Sequence, residues 1–201
     1  MVANKTLKYE KFRLKRMAFM AKAVGGVVGD VGFHQCPNPF LTGEEVVGID
    51  PKSDDLELVS GYTKVYSGTL SGYIQEYGGC SFDVIMAGEL IEHLEDPISF
   101  LDECFKALKP GGRLILSTPN PNSFIERLLT LMLSRRFFYT SEHVMLIPQR
   151  WLIRIMEMKG FVNVRLVSGG FPVPFFGLVP FPRPWCYQTI AVGEKPFESS
   201  N

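Results

Sequence analysis

The chain is poor in cysteine: four residues (Cys36, Cys80, Cys104, Cys186) in 201, with no Cys-x-x-Cys pair. That scatter excludes a zinc ribbon and a disulfide framework, and is the pattern of reduced thiols in a cytoplasmic protein. No apolar run approaches the ~18 residues of a membrane-spanning helix. The basic N-terminus is not followed by the apolar stretch of a secretory signal. Net charge is missing too. Lys+Arg 21 and Asp+Glu 21 cancel, which excludes a bulk polyanion binder by overall charge. There is no internal repeat and no low-complexity tract. What is present is apolar side chain: 46% hydrophobic against 21% charged, too much for a disordered chain. At about 150 residues per domain, this length predicts one domain with a core of its own.

The zero is a sum of unequal parts. Residues 1–24 hold seven basic side chains against Glu10 alone, +6, so the remainder carries −6. The expected organisation is a basic N-terminal helix over 1–24, a domain over 25–195 and a tail over 196–201. The helix is read over 4–23 with Leu7, Leu14, Met17, Ala18 and Ala21 on one face, stopped by Gly25-Gly26.

Short apolar runs predict strands over 27–31, 46–50, 63–67, 82–87, 113–117, 162–167 and 187–192. Helices are predicted over 53–60, 97–108, 123–134 and 148–159, and Pro37 is placed to open a short one. In the 97–108 helix Asp96 is the N-cap, Pro97 the first residue, and Ile98, Leu101, Phe105 and Leu108 the apolar stripe. Strands alternating with helices imply crossover connections and a mostly parallel sheet. The last two strands, joined only by the Pro-rich "GGFPVPFFGLVPFPRPW", read as an antiparallel edge pair.

In such sheets ligands bind beyond the carboxyl ends of the strands. Asp30-Val31-Gly32-Phe33-His34 follows the first strand, and Asp50 ends the second, twenty positions after Asp30. An acidic residue at that spacing is the usual clamp for a ribose diol, since a carboxylate accepts a hydrogen bond from each hydroxyl. Only Gly32 of a three-glycine fingerprint is in register. That opposes a dinucleotide, whose pyrophosphate needs bare backbone, and is compatible with a nucleoside lacking phosphate.

The block "FDVIMAGELIEHLEDPISFLDECFKALKPGGRLILSTPNP", and later "RWLIRIMEMKGFVNV", closely resemble class I S-adenosylmethionine-dependent methyltransferases, over residues 25–170 or so. The resemblance implies a Rossmann-like seven-stranded α/β sheet in the order 3-2-1-4-5-7-6, with the seventh strand antiparallel and helices on both faces. It also implies S-adenosylmethionine as cofactor. Carried over by position, Asp30, Gly32, Phe33 and His34 cradle its methionine part, Asp50 holds the ribose, and Pro51, Thr69 and Leu70 flank the adenine. Ala87, Gly88, Glu89 and Leu90 line the far side. The chain departs from the family in having His34 where a second glycine is common and Thr69 where an Asp is common.

A second constellation is Glu89-x-x-Glu92-His93, with His143 later in the chain. Residues three and four apart on a helical turn project on one side. Two carboxylates and two imidazoles suit a divalent cation such as Mg²⁺, Mn²⁺, Fe²⁺ or Zn²⁺, which lowers the pKa of a substrate hydroxyl. Without a metal, His93 is the candidate general base, with Glu92 beside it. The pattern resembles two metal-using branches, the small-RNA 3′-terminal 2′-O-methyltransferases and the O-methyltransferases of ubiquinone biosynthesis.

The apolar, aromatic segments "NSFIERLLTLMLSRRFFYTSEH" and "FPVPFFGLVPFPRPW" are expected to wall a pocket for a small, lipid-like or glycan-type acceptor, with peripheral contact to a membrane or a lipid-linked substrate. The leading expectation is O-methyl transfer. The alternatives are a non-catalytic cofactor-binding module of the same fold and a metal-dependent RNA-terminal enzyme. The −6 balance of the body opposes a nucleic-acid partner.

Overall fold

A computed structural model describes residues 6–22, 25–34, 37–53, 61–132, 143–173 and 177–197. Most of the helix expected over 53–60, the ends of those expected over 4–23 and 123–134, Cys36, and most of the 196–201 tail lie outside them.

The strands are β1 Val27–Val31, β2 Glu45–Ile49, β3 Lys64–Tyr66, β4 Phe82–Gly88, β5 Leu108–Pro119, β6 Val162–Ser168, β7 Phe171–Val173, β8 Gly177–Val179 and β9 Gln188–Glu194. The helices are α1 Thr6–Met20, α2 Leu70–Tyr77, α3 Pro97–Ala107, α4 Phe124–Met132 and α5 Gln149–Met158. Seven strands form one sheet in the order β3-β2-β1-β4-β5-β9-β6. Counted along the chain within that sheet, this is the expected 3-2-1-4-5-7-6. The five strands from β3 to β5 run parallel, and β9 lies antiparallel between β5 and β6. No helix of the described residues is long and apolar enough to cross a membrane.

Central strands such as β1 and β2 bury nearly every residue, as a parallel sheet covered on both faces requires. One buried cluster joins Leu70 of α2, Leu101 and Cys104 of α3, and Leu152 and Met156 of α5 to the sheet. The other lies under α1, where Met20 and Ala21 meet Val28, Val84, Met86 and Ile190. So α1 is packed against the domain by Met17 and Met20, while Leu14 is exposed.

Helix α3 starts as its sequence dictates. One carboxylate oxygen of Asp96 accepts the backbone N–H groups of Ile98 and Ser99, at 3.1 and 2.9 Å, and Pro97 opens the first turn. Its buried face differs from the expected stripe: Phe100, Leu101, Cys104 and Ala107 face the sheet, and Ile98 is 48% exposed. Leu101 is fully buried, so Leu101→Ala is expected to cost about 2–5 kcal/mol. Thermal denaturation should show a midpoint lowered by roughly 4–20 °C.

Three local expectations are corrected. Pro37 opens no helix: the Asn38 side chain accepts the N–H of Phe40 at 3.0 Å and holds a turn instead. Residues 70–77, not expected to be helical, form α2, because the Thr69 hydroxyl accepts the N–H of Gly72 at 3.1 Å and caps it. The Pro-rich segment before β9 folds back as the β7–β8 hairpin.

Candidate active site at the strand ends

Asp50 leaves β2 nearly buried and ties two loops together. One carboxylate oxygen accepts the N–H of Lys52 at 2.8 Å and the other that of His34 at 3.2 Å. Each oxygen keeps a second lone-pair direction. Gly32 turns the chain at φ +77°, donates its N–H to Ile49 O at 2.9 Å, and packs so closely under Leu90 that a Cβ would lie 2.8 Å from it.

Two other predicted first-loop residues, Asp30 and Phe33, have structural partners. Asp30 is buried and accepts a short hydrogen bond from the Tyr62 hydroxyl, which itself accepts the N–H of Asn38 at 2.8 Å. The Phe33 ring is buried over Gly48 and stacks on Tyr62 at 5.1 Å. His34 Nδ1 is buried with no hydrogen-bond partner among the described residues. Pro51 is exposed, Thr69 caps α2, and Leu70 belongs to the core. Asp30, Gly32, Phe33, Asn38, Met86 and Gly88 line a cleft closed by Arg16, Met17 and Met20 of α1.

Glu89 has the left-handed φ of +55°, an uncommon conformation for a side chain with a Cβ. It is held there by Ser117, whose carbonyl accepts the Glu89 N–H at 2.9 Å and whose hydroxyl donates to Oε1 at 2.9 Å. Arg16 Nη1 lies 3.4 Å from the same Oε1, and Gln188 Nε2 donates to Oε2 at 2.5 Å.

Ile91–His93 form the following 3-10 turn, and three of the four expected residues come together around it. Ligand atoms of Glu92, His93 and His143 lie within 4.8 Å of one another. The two imidazole rings meet edge to face, with centroids 4.7 Å apart. The Glu92 carbonyl accepts the N–H groups of Val144 and Met145, at 2.8 and 3.2 Å, which brings His143 to the turn. Glu92 itself is fully buried; Oε2 accepts from the Thr118 hydroxyl at 3.1 Å, and Oε1 has no partner among the described residues.

The sequence model of a family described as a methyltransferase domain matches residues 34–166. The chain belongs to that family. Its class I fold recurs in a SAM-dependent methyltransferase from Thermotoga maritima, with TM-score 0.71 and 18% identity, covering 96% of each chain. A SAM-dependent methyltransferase from Archaeoglobus fulgidus gives 0.66 at 18% identity, covering 93% of each. Among curated proteins, the ubiquinone biosynthesis O-methyltransferase of Vibrio cholerae is 36% identical over 124 residues, 53% of this chain and 49% of that protein. The mitochondrial enzyme of the same name from Rattus norvegicus is 34% identical over 108 residues, 45% of this chain and 30% of that protein. The chain thus spans about half the length, or less, of the curated relatives it matches.

Polar residues that touch the site and were not singled out from sequence include Arg16, Asn38, Tyr62, Ser117, Thr118 and Gln188. Arg16 carried a signal, the basic charge of its helix. The others are ordinary polar residues that reach the site only through sheet topology.

Two buried carboxyls make the methyltransferase domain sensitive to alkali. Burial raises Asp30 to about 7 against the opposing hydrogen bond from Tyr62. Burial, with the charge of Glu89, raises Glu92 to about 8. Both exceed ordinary carboxyl values, so between about pH 4 and 8 the folded state binds more protons than the unfolded one and stability falls as pH rises. Melting temperatures recorded from pH 5 to 8.5 with chelator present should decline, and Asp30→Asn or Glu92→Gln should each flatten part of that decline.

Proposed function

We propose that the chain transfers a methyl group from S-adenosylmethionine to a hydroxyl oxygen of a small apolar acceptor. The observation that carries this reading is the Glu92–His93–His143 cluster at the carboxyl edge of β4 and β5, beside the cleft walled by Gly32 and Gly88. An oxygen nucleophile has to lose its proton, and an imidazole ordinarily titrates near neutrality. In this reading His93 takes that proton, and His143 orients the His93 ring. The likeness to O-methyltransferases over half the chain supports oxygen as the methylated atom.

The residues present fit the cofactor. Asp50 keeps acceptor capacity for the ribose hydroxyls, Gly32 allows close backbone approach, and Glu89 puts negative charge at the end of the cleft. S-adenosylmethionine supplies an already activated sulfonium methyl. The chain supplies alignment, which carries most of the barrier reduction for such a transfer. The cleft's free volume is about 30 Å³, room for roughly one water, so binding the cofactor requires the cleft to widen. Residues 25–195 are then the catalytic domain and the basic helix its cover.

The same cluster fits a divalent cation. It offers one carboxyl group and two imidazoles, a borderline donor set, and Glu92 Oε1 is buried without a partner among the described residues. A cation held there would act as a Lewis acid toward the acceptor hydroxyl. The exposed apolar face of α4, with Phe124, Leu128 and Leu131 at 61%, 46% and 82% exposure, suits a lipid-like or lipid-linked acceptor. The acidic balance of the body disfavours nucleic acid.

The reading is tested with methyl-labelled S-adenosylmethionine and matched apolar acceptors bearing a hydroxyl, an amine or a thiol. Label is expected on the hydroxyl compounds. Label on amines alone overturns the assignment.

A further inference from the structure

A second cavity, of about 280 Å³, shares Arg16 with the cofactor cleft as a lining residue. Its apolar walls are Phe19 of α1, Val179 of β8, Pro180, Phe181 and Ile190 of β9, and its floor is Ser168–Gly170. The floor and hairpin are fixed: the Ser168 hydroxyl donates to Phe181 O at 2.7 Å and accepts the N–H of Gly170 at 3.1 Å. Its charge is one-sided. Lys15 and Arg16 line it, and among the described residues no Asp or Glu does.

Arg16 is 8% exposed, yet its Nε has no hydrogen-bond partner among the described residues. A buried donor left unpaired is costly, more so when it is charged. Its pairing with Glu89 at 3.4 Å uses Nη1 and leaves that donor over. The cavity also adjoins the reacting end of the fold. Gly169 N donates to Gln188 O at 2.8 Å, and the Gln188 side chain holds Glu89, three residues before Glu92.

We infer that this cavity binds the acceptor, and that the acceptor is an apolar, ring-sized molecule carrying one carboxylate. The inference rests on the methyltransferase reading above. The carboxylate meets the Arg16 guanidinium, with Lys15 adding charge. The apolar body lies among Phe19, Val179 and Phe181. A volume near 280 Å³ sits at the small end of ligand pockets, about 300–1,000 Å³, which suits one or two fused rings.

The test is calorimetry on the full chain with 2-naphthoate and its neutral isostere 2-naphthamide, with and without S-adenosylhomocysteine. Naphthoate is expected to bind at least roughly tenfold tighter than the amide, a difference of about 1.4 kcal/mol, and to bind together with S-adenosylhomocysteine. Arg16→Gln should bring the two compounds to equal affinity, and Lys15→Gln should narrow the gap. Val179→Trp should exclude both while S-adenosylhomocysteine still binds, which also reports that the variant is folded. Equal affinity of the two compounds for the wild type overturns the inference. So does displacement of naphthoate by S-adenosylhomocysteine, which would put the anion in the cofactor cleft. Failure of S-adenosylhomocysteine to bind the wild type overturns the methyltransferase reading itself, whatever naphthoate does.

Discussion

Asp50→Ala is expected to weaken S-adenosylmethionine binding about 100-fold. Hydrogen bonds to a charged group contribute about 1.5–3 kcal/mol each. Two of them, one per ribose hydroxyl, give about 3 kcal/mol at the low end, and 1.4 kcal/mol is tenfold. The position explains why the effect is concentrated there. Asp50 sits where β2 ends, and its two oxygens already hold the N–H groups of Lys52 and His34. One carboxylate therefore shapes the first loop and presents acceptor capacity to a ligand. Alanine removes both roles, so Asp50→Asn separates them. The amide of that variant retains one acceptor oxygen, and its affinity should fall between those of the wild type and the alanine variant. Titration calorimetry measures the loss, and thermal denaturation without cofactor measures what the loops lose alone. Unchanged affinity in Asp50→Ala would refute the ribose assignment.

What the sequence disclosed, and what it withheld, follows from the range of the interactions involved. The central strands were legible because β1, β2 and β4 are buried on both faces, so apolar runs mark them directly. The start of α3 was legible because Asp96 and Pro97 act within one turn. Its buried face was not, because rotation about a helix axis is set by where the sheet lies. Phe100 and Cys104, rather than Ile98, turned out to face it. Helix α2 was hidden by its length and its flanking glycines; its cap, Thr69, had been given a ligand role by position. The backbone conformation of Glu89 is a local feature that periodicity cannot register. A φ of +55° breaks the turn that spacing assumes. The partners of Glu89 are remote: Gln188 is 99 positions away and becomes a neighbour only because β9 inserts beyond β5. The zero net charge resolves in the same way. One ion pair that joins the basic helix to the acidic body is Arg16–Glu89, and Arg16 lines the cleft.

The largest kinetic effect is expected at His93. His93→Ala should lower turnover by about 10²–10⁴-fold, the range for a lost general base, with S-adenosylmethionine affinity unchanged. The separation is possible because the cluster and the cofactor cleft share no lining residue. A pH profile tells a base from a merely structural residue. If His93 takes the acceptor's proton, the acid limb of the wild-type profile disappears in the variant, and activity rises with hydroxide instead. Glu92 bears on the same limb differently. Its carboxyl, raised to about 8 by burial and by Glu89, already holds a proton at neutral pH and so is not free to take the acceptor's. A divalent cation would have to displace that proton, so cation binding should strengthen as pH rises toward 8. The chelator arm then divides the two mechanisms. If His93 works through a cation, chelation brings the wild type down to the level of His93→Ala. If it works as a base alone, chelation leaves the wild type active and only the substitution stops the reaction. A fully active His93→Ala would remove both mechanisms and leave alignment alone to account for transfer.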